Sequence, residues 1–158
     1  MPVLEPQAFV AAVALPARLI GLDLGTKTIG VAVSDGGWAV ATPVTTIRRV
    51  KLRPDLEALF RLYDERRAGG IVLGLPVNMD GTSGPRAQAT RAFAHELLKH
   101  RDVPLLLWDE RLSTSAVERQ MIEALDMSRR KRAAQVDQAA AAYILQGALD
   151  ALKLYLSL

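Results

Sequence analysis

The stretch Leu19-Ile20-Gly21-Leu22-Asp23-Leu24-Gly25-Thr26-Lys27-Thr28-Ile29-Gly30-Val31-Ala32-Val33-Ser34-Asp35 decides the fold. It reads as two β-strands joined by a tight turn. Leu19 to Leu24 is a short apolar run with one acid inside it. An unpaired carboxylate buried in such a run is costly, so Asp23 calls for a cation, a metal or several hydrogen-bond donors. Gly25-Thr26-Lys27-Thr28 then turns the chain back into a second strand, Ile29 to Val33.

Working outward, Gly36-Gly37 is the next turn and Trp38 to Ile47 a third strand, where Pro43 marks an edge or a bulge. Pro54 opens a helix whose Leu56, Leu59, Phe60 and Tyr63 share one face, with Asp55 and Glu57 in the first turn as the helix dipole prefers. That helix ends near Arg67, and Gly69-Gly70 is expected to stop it. Ile71 to Leu75 is a buried strand of the parallel kind. A loop to Gly84 follows, and Pro85 starts a helix with Phe93, Ala94, Leu97 and Leu98 as its apolar face. Val103 to Trp108 is a further buried strand, with Asp109-Glu110-Arg111 at its C-terminal end. Ser115 and Glu118 form a capping box for a third helix carrying Val117, Met121, Ala124 and Leu125. A loop, Asp126 to Lys131, leads to a long last helix, about Ala133 to Leu156, with Val136, Ala140, Ile144, Gly147, Ala151 and Leu154 as its stripe. The order β-β-β-α-β-α-β-α-α gives an α/β fold: a mixed five-stranded sheet, three antiparallel strands then two parallel βα units, flanked by helices.

The 158 residues fit one domain. The absence of cysteine rules out disulfides, zinc–thiolate sites and thiol nucleophiles, and fits a reducing cytoplasm. With only His95 and His100 available, a metal site must rest on oxygen ligands, which points to Mg²⁺ or Mn²⁺ rather than Zn²⁺. The net charge of +3 is modest, so its distribution matters more than its size. Basic residues gather at Arg48 to Arg53, at Arg66-Arg67 and at Arg129 to Arg132, an electrostatic footprint suited to nucleic acid. The apolar run Phe9 to Ala14 has no positive residue before it, is short for a secretory leader and is far too short to span a bilayer. Residues 1–17 are therefore expected to be a dispensable N-terminal extension to a domain at 18–158, with no membrane partner.

In a sheet of this kind, sites gather at the C-terminal ends of the parallel strands. Asp23 lies near the end of the first strand, Asp109 and Glu110 end the last one, and Asp137 lies one turn inside the final helix. Carboxylates brought together repel one another and demand a cation; two divalent ions there would clamp the attacking water and the leaving oxygen of a phosphodiester. Alternation puts Asp109 and Glu110 on opposite faces, and periodicity does not choose between them. The loop from Asn78 to Gly84 ends at a helix start, where free N–H groups can take a phosphate. Arg129-Arg130-Lys131-Arg132 precedes the positive end of a helix, an unfavourable place for cations that points to an external anion. Asp35 and Asp80 read as turn residues, and Trp38 and Trp108 as buried strand aromatics.

These residues carry a family resemblance. Gly21 to Asp35 resembles the opening motif of the YqgF (RuvX) family, and Gly74-Leu75-Pro76-Val77-Asn78-Met79-Asp80-Gly81-Thr82-Ser83-Gly84-Pro85 its second. Asp109-Glu110-Arg111-Leu112-Ser113-Thr114 resembles the third, and Lys131-Arg132 through Val136-Asp137-Gln138-Ala139-Ala140 the fourth. The resemblance runs from about Arg18 to Asp150. It implies an RNase H-like fold and a metal-dependent nuclease in which Asp23, Glu110 and Asp137 are the catalytic acids and the Mg²⁺ or Mn²⁺ ligands. The substrate it implies is RNA, the 5′ end of pre-16S ribosomal RNA on ribosomal precursor particles, or else branched DNA such as a Holliday junction. Lys27, Asn78, Arg111, Arg129, Arg130, Lys131 and Arg132 are the expected nucleic-acid contacts, in a cytoplasmic monomer or homodimer. Two rivals come from other classes. Asp23-Leu24-Gly25-Thr26 also resembles the phosphate loop of the sugar-kinase and actin group, which needs two such domains around one nucleotide. The other rival is a non-catalytic ribosome or nucleic-acid binding module.

Overall fold

The structure, a computed structural model, describes residues 2–13, 17–78, 80–112 and 129–156, without the side chains of Leu112 and of 129–136. Its elements are α1 (Pro6–Ala12), β1 (Arg18–Leu24), β2 (Thr28–Ser34), β3 (Ala41–Arg48), α2 (Leu52–Glu65), β4 (Ala68–Leu75), α3 (Pro85–His100), β5 (Leu105–Asp109), a 3-10 turn (Glu110–Leu112) and α4 (Arg129–Leu156). The expected helix with Ser115, Val117, Glu118, Met121, Ala124 and Leu125 lies outside the described residues.

The sheet runs β3-β2-β1-β4-β5. β1 and β2 pair antiparallel with Asp23 opposite Gly30, β2 and β3 pair antiparallel, and β1–β4 and β4–β5 are parallel. Three antiparallel strands followed by two parallel ones is the expected order. β3 is an edge strand, and its register shifts beside Pro43, which cannot donate to the ladder.

Strand alternation sends two apolar sets to opposite faces. Ile20, Leu22, Leu24, Ile71, Leu73 and Leu105 meet Leu56, Leu59 and Phe60 of α2 and Phe93 and Leu97 of α3. Leu19, Ala32, Val72 and Leu106 meet Ala141, Ile144, Leu145, Ala148, Leu149 and Leu152 of α4. The stripe of α4 is rotated from the expected one: Ala141, Leu145 and Leu152 are fully buried, while Leu154 stands 72% exposed.

The boundaries differ from the sequence reading for local reasons. Trp38 lies before β3, with φ 59°, and its fully buried indole donates Nε1–H to the Ala17 carbonyl at 2.8 Å. α2 ends at Glu65 with Arg66 as its C-cap, and Arg67 takes the left-handed conformation at φ 54°. Gly69 and Gly70 do not stop the helix; they lie inside β4. Gly70 serves packing instead, since a Cβ there would stand 3.0 Å from Phe9 Cζ and from Val13 Cγ2.

The N-terminal segment packs on the sheet. Phe9 is fully buried and Val13 nearly so, both in the α4-side core. The Leu4 N–H donates to the Leu105 carbonyl at 2.9 Å, which ties the segment to β5.

Candidate active site

Asp23, Glu110 and Asp137 are brought to one end and one face of the sheet. Gly21 of β1 faces α4, its Cβ position lying against Ala141 and Leu145, so alternation puts Asp23 on that same face. Its β2 neighbour on the face is Gly30; extending the Leu22–Leu73 pairing by one residue makes Gly74 its β4 neighbour. Each glycine stands about 4.8 Å from β1, the spacing of neighbouring strands. Neither carries a side chain, and an acid occupies each gap. The main-chain carbonyl of Asp137 rests where a Cβ of Gly30 would be. Glu110 Oε1 lies 2.7 Å, and Ile144 Cδ1 2.6 Å, from the Cβ position of Gly74. The glycines let α4 and the turn after β5 descend onto the sheet on either side of Asp23, which is partly buried, as are Glu110 and Asp137.

The second acid is resolved by hydrogen bonding. Asp109, which continues the α3-facing alternation of Leu105 and Leu107, is held by Arg111. The Arg111 guanidinium donates Nη2–H to Asp109 Oδ2 at 2.6 Å and Nε–H at 3.0 Å, and its backbone N–H donates to Oδ1 at 2.9 Å. That pairing holds the Asp109 carboxyl below the usual carboxylate range. Glu110 points the other way, toward Gly74. Arg111 therefore pairs with Asp109.

Asp137 is held by Thr28, which is not among the expected site residues. The Thr28 hydroxyl donates to Asp137 Oδ2 at 2.7 Å across 109 positions of chain. The Thr28 carbonyl accepts the Gly25 N–H at 2.8 Å, closing the turn after Asp23. Arg49 donates Nη1–H to the Gly25 carbonyl at 2.6 Å, so a basic residue of the cluster after β3 braces the same turn. Asp137 lies at least two turns inside α4, deeper than expected, because the helix already includes Arg129. The N-terminal dipole acts mainly over the first turn, so Thr28, not the helix end, is its local partner.

The expected nucleic-acid contacts divide. Lys27 is exposed on the turn beside Asp23. Asn78 is folded into its own loop: its N–H donates to the Thr82 carbonyl at 2.9 Å and its Nδ2 to Thr82 Oγ1 at 3.0 Å. Asp80 closes that loop by accepting from the Thr82 hydroxyl at 2.6 Å, which lowers its carboxyl below the usual range. Arg129, Arg130, Lys131 and Arg132 lie within α4 rather than in a loop before it, and their side chains lie outside the described set. Trp108 is partly exposed, not buried as expected.

The donor chemistry at this end of the sheet is all oxygen, the kind a hard divalent cation takes, with no sulfur in the chain. Among the described residues, no three His, Asp or Glu side chains are grouped tightly enough to hold a metal ion as they stand.

A five-stranded sheet in this order, with acids converging at the carboxyl end of its central strand, is the framework of the RNase H-like nucleases. Two solved structures share the fold. Thermus thermophilus RuvC in complex with a Holliday junction substrate aligns over 85% of this chain and 94% of its own, with TM-score 0.52 and 11% identity. The yeast mitochondrial Holliday junction resolvase Ydc2 aligns over 95% of this chain and 86% of its own, with TM-score 0.52 and 14% identity. A sequence model described as "RuvX: Holliday junction resolvase" matches residues 17–151, so the chain belongs to the RuvX family, and it is a nuclease. Similar proteins include that of Rhodospirillum rubrum, 59% identical over 96% of this chain and 94% of its own length, and that of Rhodobacter capsulatus, 60% identical over 91% and 90%. Both carry the name "Putative pre-16S rRNA nuclease". Nucleases of this fold work with a divalent metal. No helix among the described residues is long and apolar enough to cross a membrane.

Proposed function

We propose that this nuclease hydrolyses a phosphodiester of structured RNA, the 5′ end of pre-16S ribosomal RNA, with Asp23, Glu110 and Asp137 as its catalytic acids. The observation that carries the reading is the pair of glycines, Gly30 and Gly74, that flank Asp23 and admit Asp137 and Glu110 to its face. The names of the most similar proteins support the choice of RNA. Asp23, Glu110 and Asp137 would hold Mg²⁺ or Mn²⁺, which when bound supplies a Lewis acid and an activated water for in-line displacement. The chain's own residues do the positioning. Thr28 fixes one oxygen of Asp137, and Arg49 and Thr28 set the turn that follows Asp23. Lys27 on that turn, with Arg129, Arg130, Lys131 and Arg132 of α4, offers positive charge to the phosphate backbone. Asn78 and Arg111 act through the loops they order as well as by direct contact. The products are a 5′ phosphate and a 3′ hydroxyl. The protein works in the cytoplasm on ribosomal precursor particles, as a monomer or a homodimer.

The test is Asp23→Asn, assayed on the pre-16S 5′ leader and on a four-way DNA junction with Mg²⁺ or Mn²⁺. We expect metal-dependent cleavage of the RNA by the wild type and its loss in the variant. Cleavage at the wild-type level by Asp23→Asn would overturn the catalytic assignment.

The family description supports a second substrate, branched DNA. A four-way junction has two-fold symmetry and calls for a dimer presenting two sites. A sedimentation measurement that finds only monomer counts against it, and preferential cleavage of the junction by a dimer would favour it.

A further inference from the structure

Along the free side of β5, the N-terminal segment and α3 enclose two clefts that share Val3 and Arg91. The first, about 300 Å³, begins at Asp109, the neighbour of Glu110; Leu75, Leu106, Leu107 and Trp108 contribute apolar surface to it. The second, about 480 Å³, continues along α3 past Arg91, His95 and Lys99. These three are spaced four residues apart, so they share one face of α3 over about 12 Å. All three are exposed, and α3 runs from the catalytic end of the sheet toward the far end. Arg91 and His95 have no hydrogen-bond or ion-pair partner among the described residues, and Lys99 has only a long contact, 3.8 Å, to Glu96. Of the acids in the first cleft, Asp109 is already neutralised by Arg111, and Glu5 stands at its opposite wall.

We propose that this groove is a track for a single strand of RNA leaving the cleavage site. The inference rests on the proposed RNA substrate and adds where the strand goes. The first cleft has the apolar surface that a nucleobase covers, and the second has the cations Arg91 and Lys99 along one helix face, as a phosphate backbone requires. Val3 and its neighbours, which precede the residues matched by the family model, form one wall of both clefts. The track is thus a feature of this chain's N-terminal segment as much as of the nuclease domain.

The experiment uses the full chain in EDTA, so that binding is read without cleavage. The probes are two labelled RNAs with the same duplex, one blunt and one with a single-stranded extension. The wild type should bind the extended RNA more tightly, and Arg91→Ala/Lys99→Ala should remove that preference while leaving the blunt duplex unchanged. Each lost phosphate contact lowers the slope of log affinity against log salt by about 0.7 for a single strand, so the double variant should lose about 1.4. Val3→Glu, which puts a carboxylate into the shared wall at a position 40% exposed, should reduce the preference without touching the core. Equal binding of both RNAs by the wild type, or an unchanged preference in both variants, would overturn the track. Either result leaves the nuclease reading intact if cleavage with metal persists; loss of cleavage in Asp23→Asn bears on that reading alone.

Discussion

The hydroxyl of Thr28 donates to Asp137 Oδ2 at 2.7 Å, and so ties the hairpin that carries Asp23 to the helix that carries Asp137. The bond fixes one carboxylate oxygen and leaves the other to a ligand. Thr28→Val keeps the shape of the side chain and removes the donor. A hydrogen bond to a charged group contributes about 1.5–3 kcal/mol, so the expected loss is roughly tenfold or more in cleavage rate. The loss should fall on kcat and on the metal concentration needed for half-maximal rate, with KM for RNA little changed. Thr28→Ser restores the donor and should restore most of the rate; a Ser variant as slow as the Val variant would show that packing, not the hydrogen bond, is at stake.

Gly30 and Gly74 should respond differently to a methyl group. At Gly74 the obstructing atoms are the ends of the Glu110 and Ile144 side chains, which can swing aside. At Gly30 the obstruction is the Asp137 backbone, so α4 itself must move. Overpacking costs typically about 1–3 kcal/mol, and Gly30→Ala should lie at the upper end. Denaturant unfolding should rank Gly30→Ala below Gly74→Ala in stability. Gly74→Ala should instead lose activity out of proportion to its stability, because it displaces Glu110.

Asp109 and Glu110 are adjacent in sequence but should separate cleanly by function. Glu110→Gln should cut cleavage at least a hundredfold, whereas Asp109→Asn should cost less than tenfold, which steady-state rates will distinguish. Asp109→Asn should show itself in stability against pH. Arg111 lowers the folded-state pKa of Asp109 below the unfolded value of about 3.9. The folded protein therefore binds this proton less tightly than the unfolded chain does. The stabilisation is fully present above about pH 5 and is lost as pH falls through the depressed folded-state value. The difference between wild type and variant in urea unfolding should be constant at neutral pH and shrink on acidification.

The hairpin and the sheet order were legible because β1, β2, β4 and β5 are apolar runs bounded by turn residues, and Asp23 stood out because it interrupts one of them. The choice of Glu110 over Asp109 was not legible from alternation, since both faces of the sheet are covered by helices. It rested on the family resemblance, and the structure adds the Asp109–Arg111 pair. Thr28 gave no signal, because its partner is 109 residues away and a threonine in a turn has an ordinary local explanation. The end of α2 was legible but its stop was assigned to the wrong residues, because two glycines are a stronger stop signal than an arginine, yet Arg67 takes the left-handed turn. Gly70 was needed elsewhere, and its reason lay in the part of the chain that composition had set aside.

That part makes the last prediction. Phe9 is fully buried, and its ring reaches the space left open by Gly70. Phe→Ala in a core costs about 3–5 kcal/mol, and here the lower figure applies because α1 is short and can settle toward the sheet. In a chain of this size about 3 kcal/mol lowers the melting temperature by roughly 6–12 °C. Gly70→Ala in the wild type puts a methyl 3.0 Å from Phe9 Cζ and Val13 Cγ2 and should destabilise as well. In the Phe9→Ala background the same methyl enters a vacated space, so its cost should fall or change sign. A double-mutant cycle in urea measures this coupling directly. Strict additivity would mean that α1 does not rest on Gly70 in solution, and the N-terminal segment would then return to being an appendage of the nuclease domain.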